Sequence, residues 1–201
     1  VGVGFETTTP LVSMAIKRAQ ALHLSNFTVF VAHKNMPGAL ETIVSDPDLK
    51  IDALILPGHV STIIGTKPYE FLAEKYGIPG VITGFEPVDV LQGIAMIMRQ
   101  LHEGRAEIEI AYTRGVAPEG NPVALAAIEE VFCTVDAAWR GLGVIPESGY
   151  AIRPEFARYD ASKRFDFAVE PTQEPKGCRC GDVLRGMMAP NECPLFRRVC
   201  T

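Results

Sequence analysis

The chain has 201 residues, 47% of them hydrophobic and 21% charged, with a formal net charge of −5. That size and mixture correspond to one large globular domain or two small ones. The longest uninterrupted apolar run is only six residues, Val123 to Ile128, which excludes a membrane-spanning helix of about 20 residues. With no Lys/Arg run longer than two, a nucleic-acid backbone finds nothing to be neutralised by, so neither nucleic acid nor membrane is an expected partner. The chain opens Val-Gly-Val-Gly-Phe, already in strand-like company, and reads as a piece of a longer protein.

In chain order, the first 115 residues alternate short apolar runs with longer segments of helical periodicity, the pattern of β/α units on a parallel sheet. Strands are expected over Val1 to Phe5, Phe27 to Ala32, Ala53 to Leu56, Val81 to Phe85 and Ile108 to Tyr112. Thr9 reads as a helix N-cap followed by Pro10, with Leu11, Ala15, Ala19 and Leu22 on one face. Pro87 opens a second helix in which Val90, Leu91, Ile94, Ile97, Met98 and Leu101 recur at helical spacing, stopped by Gly104. Asn121-Pro122 opens a third through about Phe132, while Gly- and Pro-bearing Trp139 to Tyr150 reads as loop. Pro171 to Pro175 reads as a linker. The expected architecture is therefore a Rossmann-like α/β fold with flanking helices over 1–116, a helical and loop segment over 117–175, and a loop-rich cysteine module over 176–201.

Ligands of open α/β sheets sit beyond the carboxyl ends of the strands, and here those ends are polar. The first hands over Glu6, Thr7 and Thr8, the second His33-Lys34, the third Pro57-Gly58-His59, and the fourth Glu86. Parallel strands are expected to gather these on one edge, where carboxylates and imidazoles can hold a metal, move protons or bind an anion. The bland alternatives are helix capping by the threonines and dipole complementation by the glutamates. Gly4-Phe5-Glu6 and Gly84-Phe85-Glu86 echo one another, each shortly before a Pro and a helix. Turn chemistry alone can produce such an echo. Gly2-x-Gly4 lacks the third glycine of a dinucleotide fingerprint, and no phosphate-binding Gly-Lys-Ser/Thr follows any strand.

Four of the five cysteines, Cys178, Cys180, Cys193 and Cys200, fall within the last 24 residues, among glycines, prolines and arginines. Clustering of this kind marks a local site rather than a distributed disulfide framework, and it favours the cytoplasm. The spacing matches neither paired zinc knuckles nor a bacterial ferredoxin run, so iron–sulfur, zinc and free-thiol readings all remain open. Cys133 reads as an inert packed thiol. A rival function is a metal-dependent hydrolase or transferase that pairs His59 with Glu6 or Glu86 and uses the cysteines for structural zinc.

Seven segments, in collinear order, carry a resemblance: GFETTTP (4–10), AHK (32–34), PGHVS (57–61), GTKPYEFL (65–72), WRGLGVIP (139–146), CRCGDVLRG (178–186) and CPLF (193–196) with Cys200. Together they closely resemble the HypD family of hydrogenase maturation factors. The resemblance implies a scaffold with a redox role on which the Fe(CN)2CO part of the nickel–iron site is assembled, with a HypC-type chaperone and a HypE-type cyanide donor as partners. It implies a 4Fe–4S cluster with Cys178, Cys193 and Cys200 as metal ligands, and Cys180 as one half of a redox-active pair. The fourth ligand and the partner thiol would lie beyond Thr201, and the family's amino-terminal cysteine motifs are not in this sequence. Glu6 and His59, with Cys180, become candidates for the chemistry, and Thr7, Thr8, His33 and Glu86 for lining a cleft that holds iron with cyanide and carbonyl ligands.

Overall fold

The structure is a computed structural model and describes residues 1–166 and 174–200. Five short parallel strands form, as expected, but in two sheets rather than one. Strands β1 (Gly2–Gly4) and β2 (Val31–His33) pair in parallel with Gly4 opposite His33. Strands β3 (Leu54–Pro57), β4 (Gly80–Thr83) and β5 (Ile108–Ile110) form a second parallel sheet in that order. Helices α1 (Thr9–Ala21) and α2 (Met36–Val44) follow β1 and β2. Short helices α3 (Gly58–Ile64) and α4 (Glu70–Glu74) follow β3, and the long α5 (Pro87–Glu103) follows β4.

Beyond β5 the chain crosses back. Helix α6 (Pro122–Val131) starts where the Asn121 Oδ1 accepts the Ala124 N–H at 3.1 Å, a side-chain N-cap that satisfies one orphan donor. It leads into an antiparallel hairpin, β6 (Phe132–Trp139) and β7 (Gly143–Ile152), with a bulge between Val135 and Ala137. The loop expected over Trp139 to Tyr150 is thus corrected to the longest strand pair of the molecule's described residues. Its glycines serve the ribbon: Gly141 and Gly143 turn the chain at φ 78° and 77°, and a Cβ on Gly149 would stand 2.8 Å from that of Ala137. A bridge between Lys34 and Gly149 lays β7 beside β2. Helix α7 (Ala161–Arg164) closes this part, and α8 (Cys180–Leu184) opens the cysteine module. Pro171 to Gln173, most of the expected linker, lies outside the described residues.

Two main cores result, and they draw on both sides of the expected boundary at residue 116. One packs Leu40, Val44, Leu56, Val60, Tyr69, Leu72 and Ile82 around β3–β5. The other packs Ile16 and Val29 of the first 35 residues against Ile128, Phe132, Ile152 and Tyr159. Partly buried Ile63 touches both.

The helices lie where the periodicity puts them, but their apolar faces do not point where it implies. On α1 the buried residues are Thr9, Ser13, Ile16 and Ala19, while Leu11 is 75% exposed. On α5 they are Asp89, Gly93, Ile97 and Gln100, whereas Leu91, Ile94, Met98 and Leu101 face outward. The inward face is kept polar because its groups find partners. Gln100 accepts the Glu107 N–H at 2.8 Å and donates to Glu109 at 3.0 Å. Gly93 lets the helix approach the sheet so closely that a Cβ there would lie 2.2 Å from Thr83 Cγ2. Gly104 ends α5 in the left-handed conformation at φ 66°, as expected.

Candidate functional site

The strand-end residues form two corners, because their strands belong to two sheets. The first corner holds Glu6 and His33, both buried. Glu6 Oε1 accepts the backbone N–H of Met36 at 2.9 Å, at the start of α2, while Oε2 has no partner. Burial pushes the Glu6 carboxyl up to about 6, against the lowering influence of that N–H. Glu6 adds its charge to the burial that raises both Tyr69 and Tyr150, which places the carboxyl between the two cores. Burial also lowers the pKa of His33, and neither ring nitrogen has a partner. A Cβ on Gly2 would stand 2.7 Å from His33 Cε1, so the glycine makes room for the ring. Uncompensated polar atoms this deep cost stability unless they serve something.

The threonines beside Glu6 do not cap α1 by their side chains. Thr8 and Thr9 hydroxyls donate to the Phe5 carbonyl at 3.2 and 2.8 Å, and Thr9 is the first helical residue with Thr8 at the cap position, one place earlier than expected. Thr7 and Thr8 are exposed. Lys34 Nζ donates to the Ala138 carbonyl and stands 4.9 Å over the Trp139 ring, which lies 6.0 Å from the Phe5 ring. Trp139 Nε1 in turn donates to Ser148 Oγ at 2.8 Å.

The second corner, at the ends of β3–β5, holds His59 and Glu86, both exposed. His59 meets Phe85 edge-on at 4.8 Å and Tyr112 at 6.1 Å between ring centroids. Glu86 is ion-paired with Arg114 at 3.1 Å, and Arg114 also grips Asp89 through two bonds of 2.7 and 2.6 Å. That guanidinium holds the Asp89 carboxyl below its usual range. The single sheet edge expected for all four strand ends is therefore corrected to the edges of two sheets. The rival hydrolase pairing of His59 with Glu6 would need groups from different sheets, and Glu86 is ion-paired with Arg114.

The third assembly is the cysteine module. Cys178 and Cys180 bring their sulfurs within 3.3 Å of each other. Cys180, Cys193 and Cys200 line a cavity of about 260 Å³ with Arg140, Leu184 and Phe196. The Cys178 thiol is held below its ordinary range by the Cys180 backbone N–H and thiol and by Arg140, while Cys180 is pushed up by its bond to Cys178. The module is docked by Arg185, which donates to Asp46 Oδ2 at 2.7 Å and to the Gly181 carbonyl at 2.9 Å, and whose own carbonyl accepts the Lys50 N–H at 2.9 Å. Among the described residues, no three His, Cys, Asp or Glu side chains converge on a point as ligands of one metal ion. Three thiols, those of Cys180, Cys193 and Cys200, face one cavity with room for a group of some volume, and Cys178 adjoins it through its contact with Cys180. Cys133 sits apart in β6, its sulfur 3.6 Å from the Ala151 carbonyl.

Comparison with known proteins decides the lineage. A family model described as HypD, Hydrogenase formation hypA family, matches residues 1–201. The chain belongs to the HypD family. It is 44% identical over 208 residues to the hydrogenase maturation factor HypD of Cupriavidus necator, covering 100% of this chain and 55% of that protein. It is 41% identical over 200 residues to HypD of Escherichia coli, covering 99% and 54%. It is also 45% identical over 205 residues to the hydrogenase expression/formation protein HupD of Azotobacter chroococcum, covering 99% and 54%. The chain thus spans about half the length of these curated relatives. No helix among the described residues is long and apolar enough to cross a membrane.

Arg140, Trp139, Tyr150, Asp89 and Arg114 were not among the residues singled out for chemistry from sequence. For Arg140 a signal existed, since WRGLGVIP is one of the resembling segments, but a segment read as loop gave no reason to aim its side chain at the cysteines.

Proposed function

We propose that this chain supplies part of a cytoplasmic scaffold and redox centre for maturation of nickel–iron hydrogenase, on which the Fe(CN)2CO moiety is assembled with a HypC-type chaperone and a HypE-type cyanide donor. The observation that carries the reading is the cavity lined by Cys180, Cys193 and Cys200, with Arg140 in its wall and Cys178 in sulfur contact with Cys180. Cys178, Cys193 and Cys200 would hold a 4Fe–4S cluster, which would supply one-electron chemistry when bound. Cys180 is the neighbouring thiol, its sulfur in contact with that of Cys178, and would act as the redox-active partner beside that group.

The iron under construction is cargo rather than a resident group. The first corner suits it best: Glu6 can hold or release a proton near neutral pH, buried His33 offers two nitrogens without partners, and Lys34 adds a cation nearby. Thr7 and Thr8 flank this corner. His59 and Glu86, at the other corner, present an exposed aromatic and charged surface that fits contact with a partner protein or the mouth of the cleft.

The test separates the thiols. Under strict anaerobiosis, Cys178→Ala, Cys193→Ala and Cys200→Ala are each expected to lose most of the dithionite-bleachable visible absorbance. Cys180→Ala is expected to keep that absorbance and still fail to support hydrogenase maturation. Full maturation by the Cys178→Ala and Cys180→Ala variants would refute the proposal.

A further inference from the structure

The tip of the β6–β7 hairpin joins the first corner to the cysteine module within three consecutive residues. Trp139 lies against Phe5, next to Glu6, and under Lys34. Arg140 lines the cysteine cavity beside Cys180, Cys193 and Cys200. Gly141 then presses onto the first turn of α8. A Cβ on Gly181 would lie 2.5 Å from the Gly141 carbonyl oxygen, and one on Gly141 would lie 2.8 Å from the Gly181 nitrogen and 3.0 Å from Cys180 Cβ. The Gly141 N–H donates to Glu174 Oε1 at 2.6 Å. Backbone contact this close fixes how far the tip stands from the cysteines.

Two of the module's other arginines are committed to carboxylates, and Arg197 stacks 5.4 Å over the Phe196 ring. Arg179 pairs with Asp182, and Arg185 pairs with Asp46 and Asp182. Arg140 instead faces the thiols, whose neighbourhood holds its pKa above the ordinary value. A guanidinium keeps its charge at any physiological pH, so this one is a permanent positive charge in the wall of the cavity. A thiolate-held cluster is anionic and becomes more so on reduction, and a fixed cation within a few ångströms favours the more negative state.

We propose that Arg140 is a positioning residue of the cysteine module: carried on a hairpin tip locked by Gly141 and Gly181, it sets a fixed positive charge beside the sulfurs and thereby raises the reduction potential of the group they would hold. The inference rests on the 4Fe–4S reading of the module. It also makes the hairpin a rigid connection, since the strand that ends in Trp139 at the first corner delivers Arg140 to the cysteines.

The test is a redox titration of anaerobically prepared wild type, Arg140→Lys and Arg140→Gln, followed by visible bleaching. Arg140→Gln is expected to bind the cluster but show an about tenfold lower ratio of reduced to oxidised cluster at a fixed potential, about 59 mV for one electron. Arg140→Lys is expected to stay near wild type. Loading of Arg140→Lys but not of Arg140→Gln would equally support a role for the charge. An unshifted potential in a loaded Arg140→Gln variant would overturn the inference and leave the cluster reading standing. Loss of the cluster from both variants, with circular dichroism unchanged, would overturn it too, since the side chain would then be a steric prop. A wild type that takes up no cluster would sink both readings.

Discussion

The tripeptide Gly-Phe-Glu occurs at two strand ends and produces opposite environments. At the first, Glu6 is 1% exposed, bonded to the start of α2 and lodged between two cores beside buried His33. At the second, Phe85 is 73% exposed, Glu86 is paired with Arg114 at the surface, and His59 lies open against the Phe85 ring. The turn chemistry is shared; what differs is the next layer. The first corner is roofed by α2 and the β6–β7 hairpin, whereas the second is met by Tyr112 and by the turn carrying Arg114. A carboxylate's role is thus set by what the chain brings over it from more distant sequence.

The strongest way to break the comparison is at the glycine that lets the second corner close. A Cβ on Gly58 would stand 2.2 Å from the Thr83 carbonyl oxygen, a backbone atom that cannot step aside. Gly58→Ala is expected to lower unfolding stability by about 3 kcal/mol, read as a shifted denaturant midpoint with unchanged slope.

The next effect belongs to Glu6. Its pKa is raised in the fold, from 4.5 to about 6, so its contribution is fully present below pH 4.5 and is lost as pH rises through about 6. At about 1.4 kcal/mol per pKa unit, the loss is on the order of 2 kcal/mol. Glu6→Gln cannot ionise. Denaturant titrations between pH 4 and pH 7 (roughly the span of the two states) should therefore show wild type losing about 2 kcal/mol relative to the variant. Parallel curves would mean that Glu6 is solvated.

Smaller changes sharpen the contrast. Trp139→Phe removes the donor to Ser148 Oγ while keeping a ring against Phe5, and about 1 kcal/mol of stability should go with it. Glu86→Gln should leave the unfolding midpoint where it is, because an exposed ion pair contributes little. A drop as large as that of Trp139→Phe would show the second corner to be as structural as the first.

Much of the framework was legible from local signals. Alternating apolar runs located all five parallel strands to within a few residues, Asn121-Pro122 marked the start of α6, and Gly104 marked the end of α5. Periodicity did not reveal orientation. Leu91 and Met98 form a good apolar stripe, yet the sheet takes Gly93 and Ile97, because a glycine permits close approach and Asp89 and Gln100 have partners waiting. The hairpin was hidden by its own glycines and Pro146, which punctuate loops as readily as they shape a twisted ribbon. The division into two sheets was equally out of reach, since strand pairing is long-range. For the site, the cysteines could be named from their crowding, but Arg140 could not, because its place at the cavity depends on a hairpin fold some 40 residues upstream of them.

The most direct measurement is the iron, zinc and sulfide content of anaerobically purified protein, taken with its visible spectrum before and after dithionite. Iron and acid-labile sulfide in about equal amounts, with broad absorbance that bleaches on reduction, is the expected result. Colourless protein carrying stoichiometric zinc, or neither metal after supply of iron and sulfide, would contradict it.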